Sequence, residues 1–190
     1  EDLLEFKTKL CGQTIRDIRR RGKFLLFDLD DDVLVSHLRM EGRYALHEQS
    51  DPVDKHTHVT FLFSDGSELR YRDVRKFGTM HLFLKGTETV GPPLSKLGVE
   101  PLTAEFTLTV LKDRFQRTTR NCKAVLLDQS VVAGLGNICV DEALFRAGVH
   151  PSRLAAELTN QEFERLYNEI VATLSEAVAK GGSTIRTYVN

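Results

Sequence analysis

The sequence predicts an α+β protein in which an antiparallel β-sandwich is followed by an all-α domain. Short apolar runs divided by turn residues fill the first half, a Gly91-Pro92-Pro93 break follows, and helical periodicity fills the rest. The runs read as strands are residues 23–29, 33–38, 42–46, 58–63, 68–72 and 80–84. They are rich in β-branched and aromatic residues, which suit a pleated, half-buried surface. Asp30-Asp31-Asp32 reads as a turn, and Ser64-Asp65-Gly66-Ser67 as a hairpin connection in which glycine supplies positive φ. Strands recurring at roughly 8–12-residue spacing indicate a sandwich or barrel.

Beyond the break, residues 94–101 read as connecting chain, so the expected organisation is a β domain over 1–91, a linker over 92–104 and a helical domain over 105–190. Candidate helices are 106–115, 123–129, 137–147 and 159–180. The third is stopped by Gly148 and Pro151. The last opens on Thr159-Asn160-Gln161-Glu162, a capping-box pattern, and closes on Gly181-Gly182. Its stripe of Phe163, Leu166, Ile170, Leu174, Ala177 and Val178 reads as a core face.

With 190 residues, 41% apolar and 28% charged, the chain is long enough to bury a real core. No apolar stretch has the length of a membrane span, which argues against a membrane partner. The first residues, Glu1-Asp2-Leu3, include no initiator Met, so a native N-terminus is expected to have been removed. Three widely spaced cysteines, Cys11, Cys122 and Cys139, form no C-x-x-C pair, so no metal site is expected within the chain and the thiols are expected to be reduced.

The net charge of −1 is not that of a typical nucleic-acid binder, but the charge is unevenly placed. Residues 16–23 hold five cations against Asp17, residues 70–76 four against Asp73, and residues 112–123 five against Asp113. Three motifs give these segments a use. The first runs from Val131 to Glu142, where a Gly-x-Gly-Asn turn opens a helix and offers backbone amides to an anion. Asn137 there is expected to cap the helix or donate to a phosphate oxygen, with Lys123 on the neighbouring helix completing a clamp. A dinucleotide-binding reading fails because no strand precedes the turn. The second motif places Met40 among polar neighbours after a strand. The third, Tyr71-Arg-Asp-Val-Arg-Lys-Phe-Gly78, alternates cations with an aromatic ring. An enzyme that removes a base from the stack leaves a hole in the duplex, and an apolar wedge, a ring and a hydrogen-bonding arginine are the side chains that fill it.

Arg20-Arg-Gly-Lys-Phe24, His37-Leu-Arg-Met-Glu-Gly42, Asp73-Val-Arg-Lys-Phe-Gly78, Leu97-Gly-x-Glu-Pro101, residues 126–142 and Gly181-Gly-Ser-Thr-Ile-Arg-Thr-Tyr188 together resemble the formamidopyrimidine-DNA glycosylase family, in order and over essentially the whole chain. The resemblance implies a β-sandwich and a helix–two-turn–helix domain with a DNA cleft between them, and excision of 8-oxoguanine and formamidopyrimidines. It implies a catalytic-region role for Lys23, a void-filling triad of Met40, Arg75 and Phe77 with Arg75 facing the orphaned cytosine, and DNA contacts from His37, His56, Arg120, Lys123, Gly136 and Asn137. The implied partner is damaged double-stranded DNA, bound by a monomer in the bacterial cytoplasm and nucleoid.

The family's nucleophile is the amine of an N-terminal proline, which attacks the sugar C1′ and forms a Schiff base before β- and δ-elimination. Neither that proline segment nor the family's C-terminal zinc ribbon is found in residues 1–190, so no cofactor is expected in this chain and one structural zinc is expected in the full-length protein. The sandwich is correspondingly expected to be incomplete, and the isolated chain to be inactive. Thr119, where many relatives carry a basic residue, and Cys139, where an aromatic is usual, are smaller departures; Arg120 compensates for Thr119. The reading from a different class is a non-catalytic helix–two-turn–helix nucleic-acid-binding module, which has no need of Met40, Arg75 and Phe77 together.

Overall fold

The computed structural model describes residues 3–181. The chain divides into two compact units, residues 1–90 and 91–190. The Gly182–Tyr188 part of the last motif lies outside the described residues.

The first unit contains a helix, α1 (Leu3–Leu10), and seven strands: β1 (Asp17–Arg21), β2 (Phe24–Asp28), β3 (Asp32–His37), β4 (Arg43–Glu48), β5 (Thr57–Leu62), β6 (Ser67–Arg72) and β7 (Thr79–Leu84). They form two antiparallel sheets, of order β1-β2-β3-β7 and β4-β6-β5. Phe27, Leu29 and Leu34 from the first sheet, with Tyr44, Phe61 and Leu69 from the second, pack into one apolar layer, and Phe6 and Leu10 of α1 join it. In the central strand β3, Val33, Leu34, Val35 and Ser36 are all buried, so the strand reads as a continuous apolar run with no alternation. Helix α1 and strand β1 were not expected from the sequence. Neither presents a buried residue to give the pattern away, and β1 ends in three consecutive arginines.

Several of the cations counted above as basic surface are committed to this framework. Arg19 makes a two-pronged contact with Asp28, at 2.6 and 2.8 Å, and Arg16 pairs with Asp30 at 2.8 Å. Arg70 is 3% exposed. Its guanidinium meets Glu68 at 2.9 Å and donates to the carbonyls of Glu48, Asp51 and Pro52, which clamps the β4–β5 connection.

The second unit holds α2 (Leu108–Gln116), α3 (Cys122–Leu127), α4 (Asn137–Ala147) and α5 (Asn160–Ala179) around a single core that includes Phe115, Val125, Leu126, Leu144, Phe163 and Leu166. The stretch read as a linker packs into this unit. Leu94 is buried in a 3₁₀ turn, Val99 bridges Val132, and Gly98 approaches the Val131 carbonyl so closely that a Cβ would overlap it. Glycine is therefore fixed there by space. The α5 stripe is shifted from the expected one, since Thr173 is buried and Val178 is 64% exposed.

The capping box forms as the sequence predicts. The Thr159 hydroxyl accepts from the Glu162 amide at 3.2 Å, and Glu162 accepts from the Thr159 amide at 3.0 Å. The same carboxylate takes a forked pair of bonds from Arg153, at 2.7 and 3.0 Å. Chiefly through Arg153, and then through the Thr159 amide, its pKa is held down to about 2. The Thr159→Ala variant is expected to lose about 1 kcal/mol of stability in denaturant unfolding, the usual worth of a helix N-cap.

Candidate nucleic-acid interface

Strand register decides which residues meet at the edge of the first unit. Phe24 pairs with His37 and His37 with Thr79, while Arg72 pairs with both Arg43 and Thr57. The β1–β2 turn, the β3–β4 crossover, the β6–β7 crossover and the end of the β4–β5 connection therefore emerge at one end of the sheets. These four segments carry Lys23, Met40, Arg75 with Phe77, and His56 respectively. Gly22, at φ 58°, is the first residue of the two-residue turn that presents Lys23.

Met40 is 78% exposed and Phe77 61% exposed. Large apolar side chains this bare need a reason, because a core-filling methionine or phenylalanine would be covered. In both crossovers the residue immediately before the apolar side chain is a cation in left-handed backbone, Arg39 at φ 55° and Lys76 at φ 59°. An L-residue pays roughly 1–2 kcal/mol for that conformation. Arg75 lies between, its Nε 4.0 Å from Oε1 of Glu41 across the two crossovers.

What holds the second crossover is Asp73, which is 1% exposed. Its Oδ2 accepts from the Tyr71 hydroxyl at 2.8 Å and the Gly78 amide at 2.9 Å, and its Oδ1 from the Arg75 amide at 3.2 Å. Its backbone ties in the neighbouring segment, with the amide donating to the His56 carbonyl at 3.0 Å and the carbonyl 2.7 Å from the His58 ring. Burial pushes the Asp73 carboxyl upward, and this is the largest single influence. The bonds from Gly78, Tyr71, Arg75 and Lys76 together outweigh it and hold the group below the ordinary carboxylate range.

His37, half-buried, stacks edge-on against Phe24 at 4.7 Å, and its Nδ1 accepts from the Arg39 amide at 3.0 Å. Burial, then the Arg39 and Lys23 charges, press its pKa down and favour the neutral ring that this bond requires. His37 thus supports the Met40 turn from beneath.

In the second unit, α3 and α4 are joined by residues 128–136. The Gln129 side chain organises this link, donating to the carbonyls of Leu127 and Leu135 at 3.1 and 3.0 Å and accepting from the Gly134 amide at 2.8 Å. Gly134, at φ 96°, makes the turn into α4. The N-cap is Gly136, without a side-chain cap, and Asn137 is the first helical residue. Asn137 therefore does not cap the helix, contrary to one of the two expectations, and its exposed side chain is available for the other. Lys123 on α3 reaches Asp141 on α4 at 2.9 Å, one helical turn from Asn137, which brings Lys123 and Asn137 onto one face. Arg120 is engaged by Asp128 at 2.9 Å.

Among the described residues no group of three or more His, Cys, Asp or Glu could hold a metal ion. Cys122 is buried, and the three cysteines do not cluster into a ribbon-type zinc site. No described helix is long and apolar enough to cross a membrane.

Two antiparallel sheets followed by a helix–two-turn–helix unit define the structural class of a glycosylase-type, DNA-binding fold. The model of the formamidopyrimidine-DNA glycosylase N-terminal domain matches residues 2–80, and that of the family's H2TH domain matches residues 97–189. The formamidopyrimidine-DNA glycosylase of Cytobacillus firmus is 62% identical over 189 residues, covering 100% of this chain and 69% of its own length. That of Bacillus licheniformis is 60% identical over 190 residues, with the same coverage. Among solved structures, the Lactococcus lactis Fpg bound to abasic-site DNA superposes with a TM-score of 0.90 at 41% identity, covering 96% of this chain and 68% of that one. A MutM complex with DNA containing carbocyclic 8-oxo-G also gives 0.90 at 41% identity, covering 97% and 70%. The chain belongs to the formamidopyrimidine-DNA glycosylase family.

Two outcomes follow from the site's local geometry. Asp73→Ala leaves the buried Tyr71 hydroxyl and the half-buried Gly78 and Arg75 amides without their acceptor and is expected to cost about 3 kcal/mol in denaturant unfolding. Because the folded-state pKa is depressed, the carboxylate's contribution is complete above about pH 4 and fades as pH falls further, through the folded value; stability measured against pH checks this. Gln129→Ala is expected to destabilise the helical unit by about 2 kcal/mol, since three backbone groups of the two-turn link lose their partner at once.

Proposed function

We propose that this chain is the lesion-gripping part of a base-excision-repair DNA glycosylase with AP lyase activity, one that removes oxidised purines such as 8-oxoguanine and formamidopyrimidines from duplex DNA. The observation that carries the reading is the display of Met40, Arg75 and Phe77, exposed on two braced crossovers at one end of the β unit. In this reading, residues 1–91 form the glycosylase domain, 92–104 the connection and 105–190 the helix–two-turn–helix domain. Met40 and Phe77 enter the space left by the extruded nucleotide, and Arg75 hydrogen-bonds the widowed base. Lys23, His37 and His56 approach phosphates near the lesion from the β unit. Lys123, Gly136 and Asn137 take a phosphate at the start of α4, where uncapped amides and the helix dipole favour an anion, and Arg120 lends positive charge nearby.

The chemistry needs a secondary amine to attack the sugar C1′, expel the base and form the Schiff base from which the strand is cut. The family's proline amine is not among residues 1–190 as given, so this polypeptide by itself should bind damaged DNA without cutting it efficiently. The zinc of the full-length family belongs to a ribbon these residues do not supply, and no step assigned here runs through it.

Phe77→Ala and Met40→Ala are each expected to weaken binding to a duplex carrying an abasic-site analogue by about tenfold, the worth of a lost stacking contact, as read by fluorescence anisotropy. Unchanged affinity in both variants would remove the void-filling assignment. Binding should fall steeply as salt rises, and Lys123→Ala should flatten that dependence by about one phosphate contact. Borohydride trapping on abasic DNA is expected to give little adduct with the 190-residue polypeptide; efficient trapping would place a nucleophile within it.

A further inference from the structure

We infer that the Tyr71 hydroxyl and the Asp73 carboxylate form a latch that fixes the Met40 crossover against the Arg75–Phe77 crossover, and that this spacing sets the preference for lesion-containing over intact duplex. The inference rests on the void-filling reading above and assigns two positioning residues to it.

Tyr71 is 6% exposed, and its ring lies 5.1 Å from that of Tyr44, directly opposite on β4. Its hydroxyl extends past the end of β6 into the space between the two crossovers. There it meets a glycine on each side. A Cβ on Gly42 would stand 2.6 Å from the Tyr71 oxygen, and one on Gly78 would overlap that oxygen outright. Neither glycine has a positive φ that would demand it. The Tyr71 hydroxyl crowds both positions, alone as the nearest atom at Gly78 and together with the Leu38 carbonyl, 2.5 Å from a Cβ, at Gly42; Gly42 lies two residues after Met40 and Gly78 one residue after Phe77.

The hydroxyl's proton goes to Oδ2 of Asp73 at 2.8 Å, the oxygen that also accepts the Gly78 amide at 2.9 Å, and the other carboxylate oxygen accepts the Arg75 amide. One acid group therefore holds the backbone on both sides of Phe77, and the tyrosine it orients closely approaches both crossover glycines. The flanking strain acts on the same parts. Arg39 and Lys76, both left-handed, turn Met40 and Phe77 outward, and a conformation that unfavourable persists only where the surroundings hold it. Binding to undamaged duplex depends on phosphate contacts scattered over the chain and has no need of the latch. Wedge insertion does, because two side chains on separate loops must enter one gap together.

Tyr71→Phe keeps the ring and its packing and removes only the hydroxyl. Binding is measured by anisotropy on the 190-residue chain, with a duplex holding a tetrahydrofuran abasic analogue and the same duplex without it. A fluorescent cytosine analogue opposite the lesion reports insertion of the wedge. We expect Tyr71→Phe to cut the lesion-to-intact affinity ratio about five- to tenfold, with the loss of one linking hydrogen bond, and to reduce the fluorescence change, while affinity for intact duplex stays near the parent's and the unfolding midpoint falls by no more than that one bond is worth. Asp73→Asn, which presents an amide where two donors need an acceptor, should lower the ratio in the same way and is the second variant. A parental ratio and fluorescence change in Tyr71→Phe, alongside their loss in Phe77→Ala, would overturn the latch and leave the void-filling reading standing. Parental behaviour in Phe77→Ala itself removes that reading, and the latch with it. A loss of affinity for both duplexes together with a lowered midpoint would mark Tyr71 as a merely structural residue and also overturn the proposal.

Discussion

The buried carboxylate of Asp73 is the constraint on which the functional end of the β unit depends. A charged group taken out of water is costly unless its lone pairs are filled, and here four donors fill them. Three are backbone amides of the β6–β7 crossover, so satisfying the acid and shaping the loop are the same event. The loop has no regular hydrogen-bond ladder of its own, and one anion substitutes for it. Through its backbone the same residue fixes the His56–His58 segment, and through Tyr71 it reaches the Met40 turn.

The helical unit solves the matching problem with a neutral group. Residues 128–136 also lack a ladder, and the Gln129 amide provides both donors and an acceptor to the turn. Asp128 adds bonds to the Ser130 amide and hydroxyl, at 2.9 and 2.6 Å. A neutral organiser adds no negative charge of its own, and the Asp128 carboxylate in the turn is answered by Arg120 at 2.9 Å, which suits a place where an anion is to be received. The nearest carboxylate on that face, Asp141, is already answered by Lys123.

Much of this was legible in the sequence. Six strands, the hairpin at Asp65-Gly66, the capping box at Thr159 and the bounds of α4 follow from period, turn chemistry and caps, all local properties. Met40, Arg75 and Phe77 could be singled out because an apolar wedge, a ring and an arginine among polar and cationic neighbours are the residue types that fill a void in the duplex, and the family resemblance matched them to that use; their exposure is a tertiary property. Other features depended on tertiary partners. Nothing near Arg70 announces that it will be buried against three carbonyls from the far end of a loop. Gly42 and Gly78 look like turn glycines, whereas close approach dictates them, of the Tyr71 hydroxyl at Gly78 and of that hydroxyl and the Leu38 carbonyl at Gly42. Strand β1 reads as a basic run, since its five residues expose nearly every side chain and so erase the alternation that marks a strand.

That basic strand has another effect. Among the described strands β1 is an edge of the four-stranded sheet, with one side of its backbone unpaired by β2. An open edge invites a strand from another molecule, and the usual remedy is to line it with charge. Arg19, Arg20 and Arg21 line this one. Although Arg19 is also held by Asp28, the run keeps the edge charged and hydrated, which disfavours growth into a shared sheet.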